Sequence, residues 1–326
     1  MNRLNKNIVL TGLGAGVTSA LLGFGGGVQS SLSFFLYGAS AMPVLIAGLG
    51  WGTTAALIAL AASFVAGSLL VSVKFAFAMA LFTTIPAAWI SHLANLARPA
   101  SEIGGPEDQM AWYPLPDIMA QLCAMVAVGV IILGVMIGFG PALVDHMVDA
   151  MAKSFATQPQ SIIFDDAVLA QTRKTMLVML PMVQSAMWLI LLFAAYYFAA
   201  RIVAVSGRGV RPREDMPSSL RMHRNTIFVM LAGVVLMFFG GIAAMIGAVL
   251  VGAFGAGFLI AGFASLHYRT RGKDFRVPLL ILAYLSATLA LPALVILAIG
   301  LSDTRRAFAL TPVRDSNTNH PKTQDN

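Results

Sequence analysis

The chain reads as an all-α polytopic membrane protein, a transmembrane helical bundle of about eight or nine spans. Three observations predict this fold class. Hydrophobic residues make up 58% of the 326 residues and charged ones 11%, against about 25% charged in an ordinary soluble domain. The mean hydropathy is +0.81. The charges gather in short gaps between apolar runs of roughly 17–25 residues, the length that crosses about 30 Å of hydrocarbon, and the middles of those runs hold no Asp, Glu, Lys or Arg.

The first expected span, Ile8–Phe24, follows a short basic start at Arg3 and Lys6. No small-x-small cleavage site followed by polar sequence comes after it, since Val28 onward is apolar again, so it reads as an uncleaved span rather than a signal peptide. The others are Val28–Leu49, Thr53–Ser72, Phe75–Leu96, Leu115–Phe139, Met176–Val203, Thr226–Phe239, Ile242–His267 and Val277–Leu301. Tight breaks are expected at Gly25-Gly26-Gly27 and at Phe239-Gly240-Gly241, where an apolar block too long for one span needs a hairpin or a broken helix. Between Pro141 and Thr175, Leu143, Val144, Met147, Val148 and Met151 recur at helical spacing opposite Asp145, Asp149 and Lys153. That pattern predicts an amphipathic extramembrane helix at about 141–174, with Ile162–Leu169 repeating the arrangement. Residues 1–306 then form one transmembrane domain, and the polar tail 307–326, with Pro312 and Pro321, is expected to be disordered.

Orientation follows from the basic residues in the connections. With the N-terminus cytoplasmic, the inner side holds Arg3, Lys6, Arg98, the cluster from Arg201 to Arg224, and Arg269 to Arg276. Nine full spans place the tail outside, although Arg305 and Arg306 directly after a span favour the cytoplasmic side.

No charged stretch of about 100 residues is present to form a soluble catalytic domain. The net charge of +7 lies beside the spans, which suits lipid headgroups and not nucleic acid. Cys123 is the sole cysteine and the five His are scattered, so no disulfide, metal site or cofactor is implied. Ionisable residues in the apolar runs, Lys74, Asp117, Arg201 and His267, all fall at span ends, which disfavours a carboxylate-driven carrier. Neither HExxH nor GxSxG occurs, and no catalytic residues are assigned.

One constellation combines aromatic and polar groups near a membrane boundary: Trp89, His92 and Asn95, then Trp112 and Tyr113 beyond Arg98-Pro99. His92 and Asn95 share a helix face. Two readings fit, a solute or partner site at the cytoplasmic mouth, or an interfacial belt that fixes helix depth. In the first span Gly12, Gly16 and Ala20 lie four apart, as do Ala15 and Ser19. Such a stripe admits another helix at close range, from this chain or from a partner membrane protein.

Several stretches carry a resemblance: Gly12-Leu-Gly-Ala-Gly16, Ile46-Ala-Gly-Leu-Gly-Trp-Gly52, and Trp89-Ile-Ser-His-Leu-Ala-Asn-Leu-Ala-Arg-Pro99. Trp112-Tyr-Pro114, Ala199-Ala-Arg201 leading to Ser206-Gly207, and Ser302-Asp303 before Arg305 complete the set. In this order they resemble the bacterial membrane-protein family known as domain of unknown function 2232. That family has no established activity and is distantly similar to the substrate-binding membrane subunits of energy-coupling-factor vitamin transporters. The resemblance implies a transporter-like protein of a bacterial inner membrane, whose first-helix stripe docks a coupling protein. Together with the uncharged span interiors, it leads to the expectation of a small uncharged solute held between helices. The alternative is a non-transport scaffold for envelope or division machinery acting through the basic loop Arg201–Arg224.

Overall fold

Where small residues line a helix in a membrane, a second helix can approach to backbone contact, and such approaches build this bundle. The computed structural model describes residues 6–28, 31–138, 140–156, 164–304 and 309–312. Seven of its helices are long and apolar enough to cross a membrane, or eight if one bent pair is counted as a span. The protein is an all-α bundle and an integral, multi-pass membrane protein.

Helix α1 (Lys6–Val28) packs along α4 (Thr53–Leu70). A Cβ on Gly12 would stand 2.9 Å from the Ala55 carbonyl oxygen, and one on Gly16 would stand 2.8 Å from the Ser63 nitrogen. Only glycine allows this approach, and the rising register means that α1 and α4 run in the same direction. The second span is α2 (Ser33–Ala39) followed by α3 (Ala41–Trp51), with Ser40 between them still helical. The Ser19 hydroxyl donates to the Ser40 carbonyl and ties α1 to this junction. The fourth span starts as α5 (Val73–Met79), widens into a π turn at Ala80–Thr84 and ends as α6 (Ile85–Ala94). The π turn ends two residues before Pro86, which cannot donate the hydrogen bond that a regular helix requires there.

Helix α7 (Leu115–Ile137) crosses to the opposite end, where amphipathic α8 (Pro141–Ala156) follows. Helix α9 (Asp166–Val205) returns through the bundle. At 40 residues it is about 60 Å long, so it projects well beyond the hydrocarbon. Its projecting turns receive α8: Arg173 bonds Asp145 at 3.1 Å and Asp149 at 2.6 Å, while Val144 and Val148 are buried.

After α9 the chain dips inward through α10 (Met216–Ser219), burying Leu220, Arg221 and Met222. Helices α11 (Thr226–Met237) and α12 (Gly241–Arg269) then form a hairpin. Gly240 and Gly241 turn it with φ of 71° and 54°, a region unfavourable to any side chain. Gly252 lets α12 lie against α9, and the Ser185 hydroxyl donates to the Val249 carbonyl across that contact at 3.1 Å.

The expected ninth span is two short helices, α13 (Arg276–Ser286) and α14 (Ala290–Ser302), bent by 119°. At 11 and 13 residues, each is about 16–20 Å long and falls short of a crossing. Gly262 of α12 and Gly300 of α14 face each other, with a Cβ on Gly300 only 2.9 Å from the Gly262 nitrogen. One turn back, Gly262 meets Ile296; three residues on, Ser265 meets Asp303. The two helices are therefore parallel, and the α13–α14 pair enters and leaves at one end. Asp303 consequently lies beside the end of α12, not at the far end that nine full spans require. A small sheet at this end agrees: β1 (Ala97–Pro99), β2 (Gln109–Trp112) and β3 (Leu310–Pro312) pair antiparallel in that order.

Other boundaries also differ from expectation. α1 runs unbroken through Gly25-Gly26-Gly27, because Gly26 packs on Tyr37 and turns nothing. The helix that carries the sixth span begins at Asp166, ahead of the expected Met176, since α8 supplies ion-pair partners for polar turns that lipid would not accept. Thus Asp166–Leu169 belongs to α9, and 157–163 lies outside the described residues. The seventh expected span is only the 12-residue α11. Leu310–Pro312 of the tail forms a strand, and 313–326 lies outside the described residues.

Candidate functional site

The ends of α6 and α9, the start of α7 and the loop after α9 converge at the end of the bundle bearing the sheet. Close packing of α3 on α6 makes this possible, since Gly48 leaves its side-chain space to Ser91. Asn95, one residue past α6, donates its amide to the Gly48 carbonyl at 2.9 Å. Its Oδ1 is buried and has no hydrogen-bond partner among the described residues.

The loop is held over this junction by its own charges. Arg211 Nη1 donates to the carbonyls of Ala94 at 3.2 Å and Tyr113 at 2.9 Å, spanning the ends of α6 and α7. Its Nε donates to Glu214 at 2.7 Å. Asp215 accepts from Arg271 at 2.5 Å, which fastens the loop to the end of α12. That hydrogen bond, with a smaller contribution from Ser218, holds the Asp215 carboxyl below the usual carboxylate range. Arg208 lies over the Trp51 ring at 4.6 Å.

Between the loop and the helices lies a cavity of about 330 Å³. Leu49, Leu115, Tyr196, Ala200 and Val203 give it apolar walls, while Asn95, Tyr197, Arg201, Arg211, Arg213, Glu214 and Asp215 add polar groups.

The expected constellation is only partly brought together. Asn95 lines this cavity, whereas Trp112 and Tyr113 line a neighbouring one of about 360 Å³ with Arg98. Tyr113 touches the first site through its backbone carbonyl. His92 bonds Thr53 at 2.8 Å, joining α6 to the start of α4. Trp89 is 42% exposed on the bundle surface and sits 5.8 Å from the His92 ring. In the α1 stripe, Gly12, Gly16, Ser19 and Ala20 are buried within this chain, while Ala15 is partly covered.

A second polar centre lies close by. Arg221 is 1% exposed, and its Nε lies 2.8 Å from Asp303, whose carboxylate also accepts from Ser265 at 2.7 Å. Arg221 Nη1 donates to the carbonyls of Pro217 and Leu220 at 2.9 and 2.7 Å. Sequence reasoning assigned Arg211, Arg213 and Arg221 to orientation and to the basic loop of the scaffold alternative, not to a solute site, and overlooked Tyr196, Tyr197 and Glu214. A signal was present: Glu214-Asp215 interrupts a basic loop and is flanked by Pro212 and Pro217, a pattern that suits a loop folded onto itself by ion pairs.

Among the described residues no three His, Cys, Asp or Glu side chains gather to hold a metal ion. The arrangement is suited to binding, with guanidinium donors and tyrosines along one lining. No protein-family model, curated protein or solved structure matches this chain.

Proposed function

We propose that the protein is transporter-like and binds a small solute in the cavity between α6, α9 and the Arg211 loop. The observation that carries this reading is the cavity itself. Its volume of about 330 Å³ falls in the range of small-ligand sites, roughly 300–1,000 Å³. Asn95 is among its polar lining residues, beside Tyr197 and the loop's charged side chains. The resemblance to domain of unknown function 2232 supports the transporter-like part of the proposal.

Basic residues favour a bacterial inner-membrane orientation with the cavity facing the cytoplasm. The cavity end carries Lys6, Arg98, the arginines from 201 to 224, and Arg269 to Arg276. At the opposite end, the described residues carry Lys74, Lys153, Arg173 and Lys174. The scaffold alternative loses some support, because Arg211 and Arg221 of its basic loop are turned inward onto Glu214 and Asp303.

Native purification followed by mass spectrometry tests the reading. A retained small molecule that is lost from Asn95→Leu and Tyr196→Ala variants is the expected result. Co-purifying envelope proteins with no small molecule would place the protein with the scaffolds.

A further inference from the structure

We propose that the ligand of this cavity is an oxyanion of the phosphate class, gripped by Arg201 and Arg213; the inference rests on the solute-binding reading above. The sequence favours an uncharged solute because the span interiors lack formal charge, but the cavity lies at the span ends, where charge is cheap. Five charged side chains line it. Glu214 is taken by Arg211, and Asp215 is taken by Arg271 from outside the cavity. Both lining carboxylates are thereby neutralised, and among the described residues Arg201 and Arg213 have no acidic partner. The cavity is left with two uncompensated guanidinium groups.

A guanidinium presents a planar fork of N–H donors that matches phosphate geometry. The arginines are exposed whereas Leu115, Tyr196 and Val203 are not fully open to water, so charge lies at the rim and apolar wall lies deeper. A phosphate with an apolar body suits this gradient. The same chemistry is offered by a soluble phosphate compound or by the headgroup of an anionic lipid.

Two probes separate these sources. Full-length protein in neutral detergent is titrated with inorganic phosphate, and its thermal stability is followed. The same protein in phosphatidylcholine nanodiscs is compared with and without phosphatidylglycerol. Arg201→Gln/Arg213→Gln is the test variant. Arg224→Gln/Arg269→Gln, which removes equal charge outside the cavity lining, is the control.

Stabilisation by phosphate alone identifies a soluble ligand, and stabilisation by phosphatidylglycerol alone identifies a lipid. In either case the test variant weakens the effect at least tenfold and the control leaves it within twofold. Should the test variant fail to fold, Arg201→Lys/Arg213→Lys, which keeps charge but loses the fork, is expected to show an intermediate loss. Equal losses in test and control reduce the effect to general surface charge and overturn the proposal. A neutral solute retained by wild type and test variant alike overturns the anion while leaving the solute-binding reading intact. If neither probe nor any solute binds, both fall.

Discussion

Arg221 is almost wholly withdrawn from water, and its side chain survives there because Asp303 and two backbone carbonyls replace the lost hydration. Desolvating two charges is expensive, so such a pair adds little net stability, yet removing one partner strands the other. Arg221→Met is therefore expected to destabilise the protein by about 3–5 kcal/mol. Arg221→Met/Asp303→Leu should recover much of the loss. A double-mutant cycle on unfolding in detergent checks this, and additive single effects would sink it. Asp215 behaves differently because it sits near the surface, 47% exposed. Its lowered carboxyl stabilises the loop above the unfolded value of about 4, and that contribution disappears as pH falls through the lower folded value. Hydrogen exchange across 212–219, corrected for intrinsic rate, should be faster at pH 3 than at pH 6. Asp215→Asn should reduce the difference.

Glycine placement decides how helices meet, and two substitutions of the same kind should have opposite outcomes. Gly262→Ala would drive a Cβ into the Ile296 backbone of α14, and overpacking of this kind costs about 1–3 kcal/mol. Gly14→Ala meets nothing within 4 Å and removes the backbone freedom that glycine carries. Thermal unfolding in detergent should show a clear drop for the first variant and no drop for the second. The long spans were legible because about 20 apolar residues without charge have few alternatives to a membrane helix. Hydropathy could not reveal that Val277–Leu301 turns back, because lipid-facing and re-entrant helices are equally apolar. The register of Gly262 on Gly300 with Ser265 on Asp303, together with the pairing of β3 on β2, fixes its direction. The cavity was still less legible, since Asn95, Tyr196 and Arg213 lie far apart in sequence and meet through glycine-dependent packing. His92 and Asn95 were recognised as sharing a face, but His92 is spent on Thr53.

In the whole molecule, the re-entrant pair brings Asp303 to the end where α9 and α12 finish. Cysteines placed in a Cys123→Ser background report this arrangement directly. Ser206→Cys and Ser302→Cys should react with an impermeant maleimide from one side of the membrane, and Ser154→Cys from the other. Nine full crossings would instead group Ser302 with Ser154. The three-stranded sheet has a consequence for biosynthesis. Strand β3 leaves the ribosome about two hundred residues after β2, so a translating chain carries the β1–β2 ribbon with one side unpaired throughout the insertion of its later helices. Such an edge is a template for strands from other molecules. Chains stalled before Leu310 would be the ones to cross-associate.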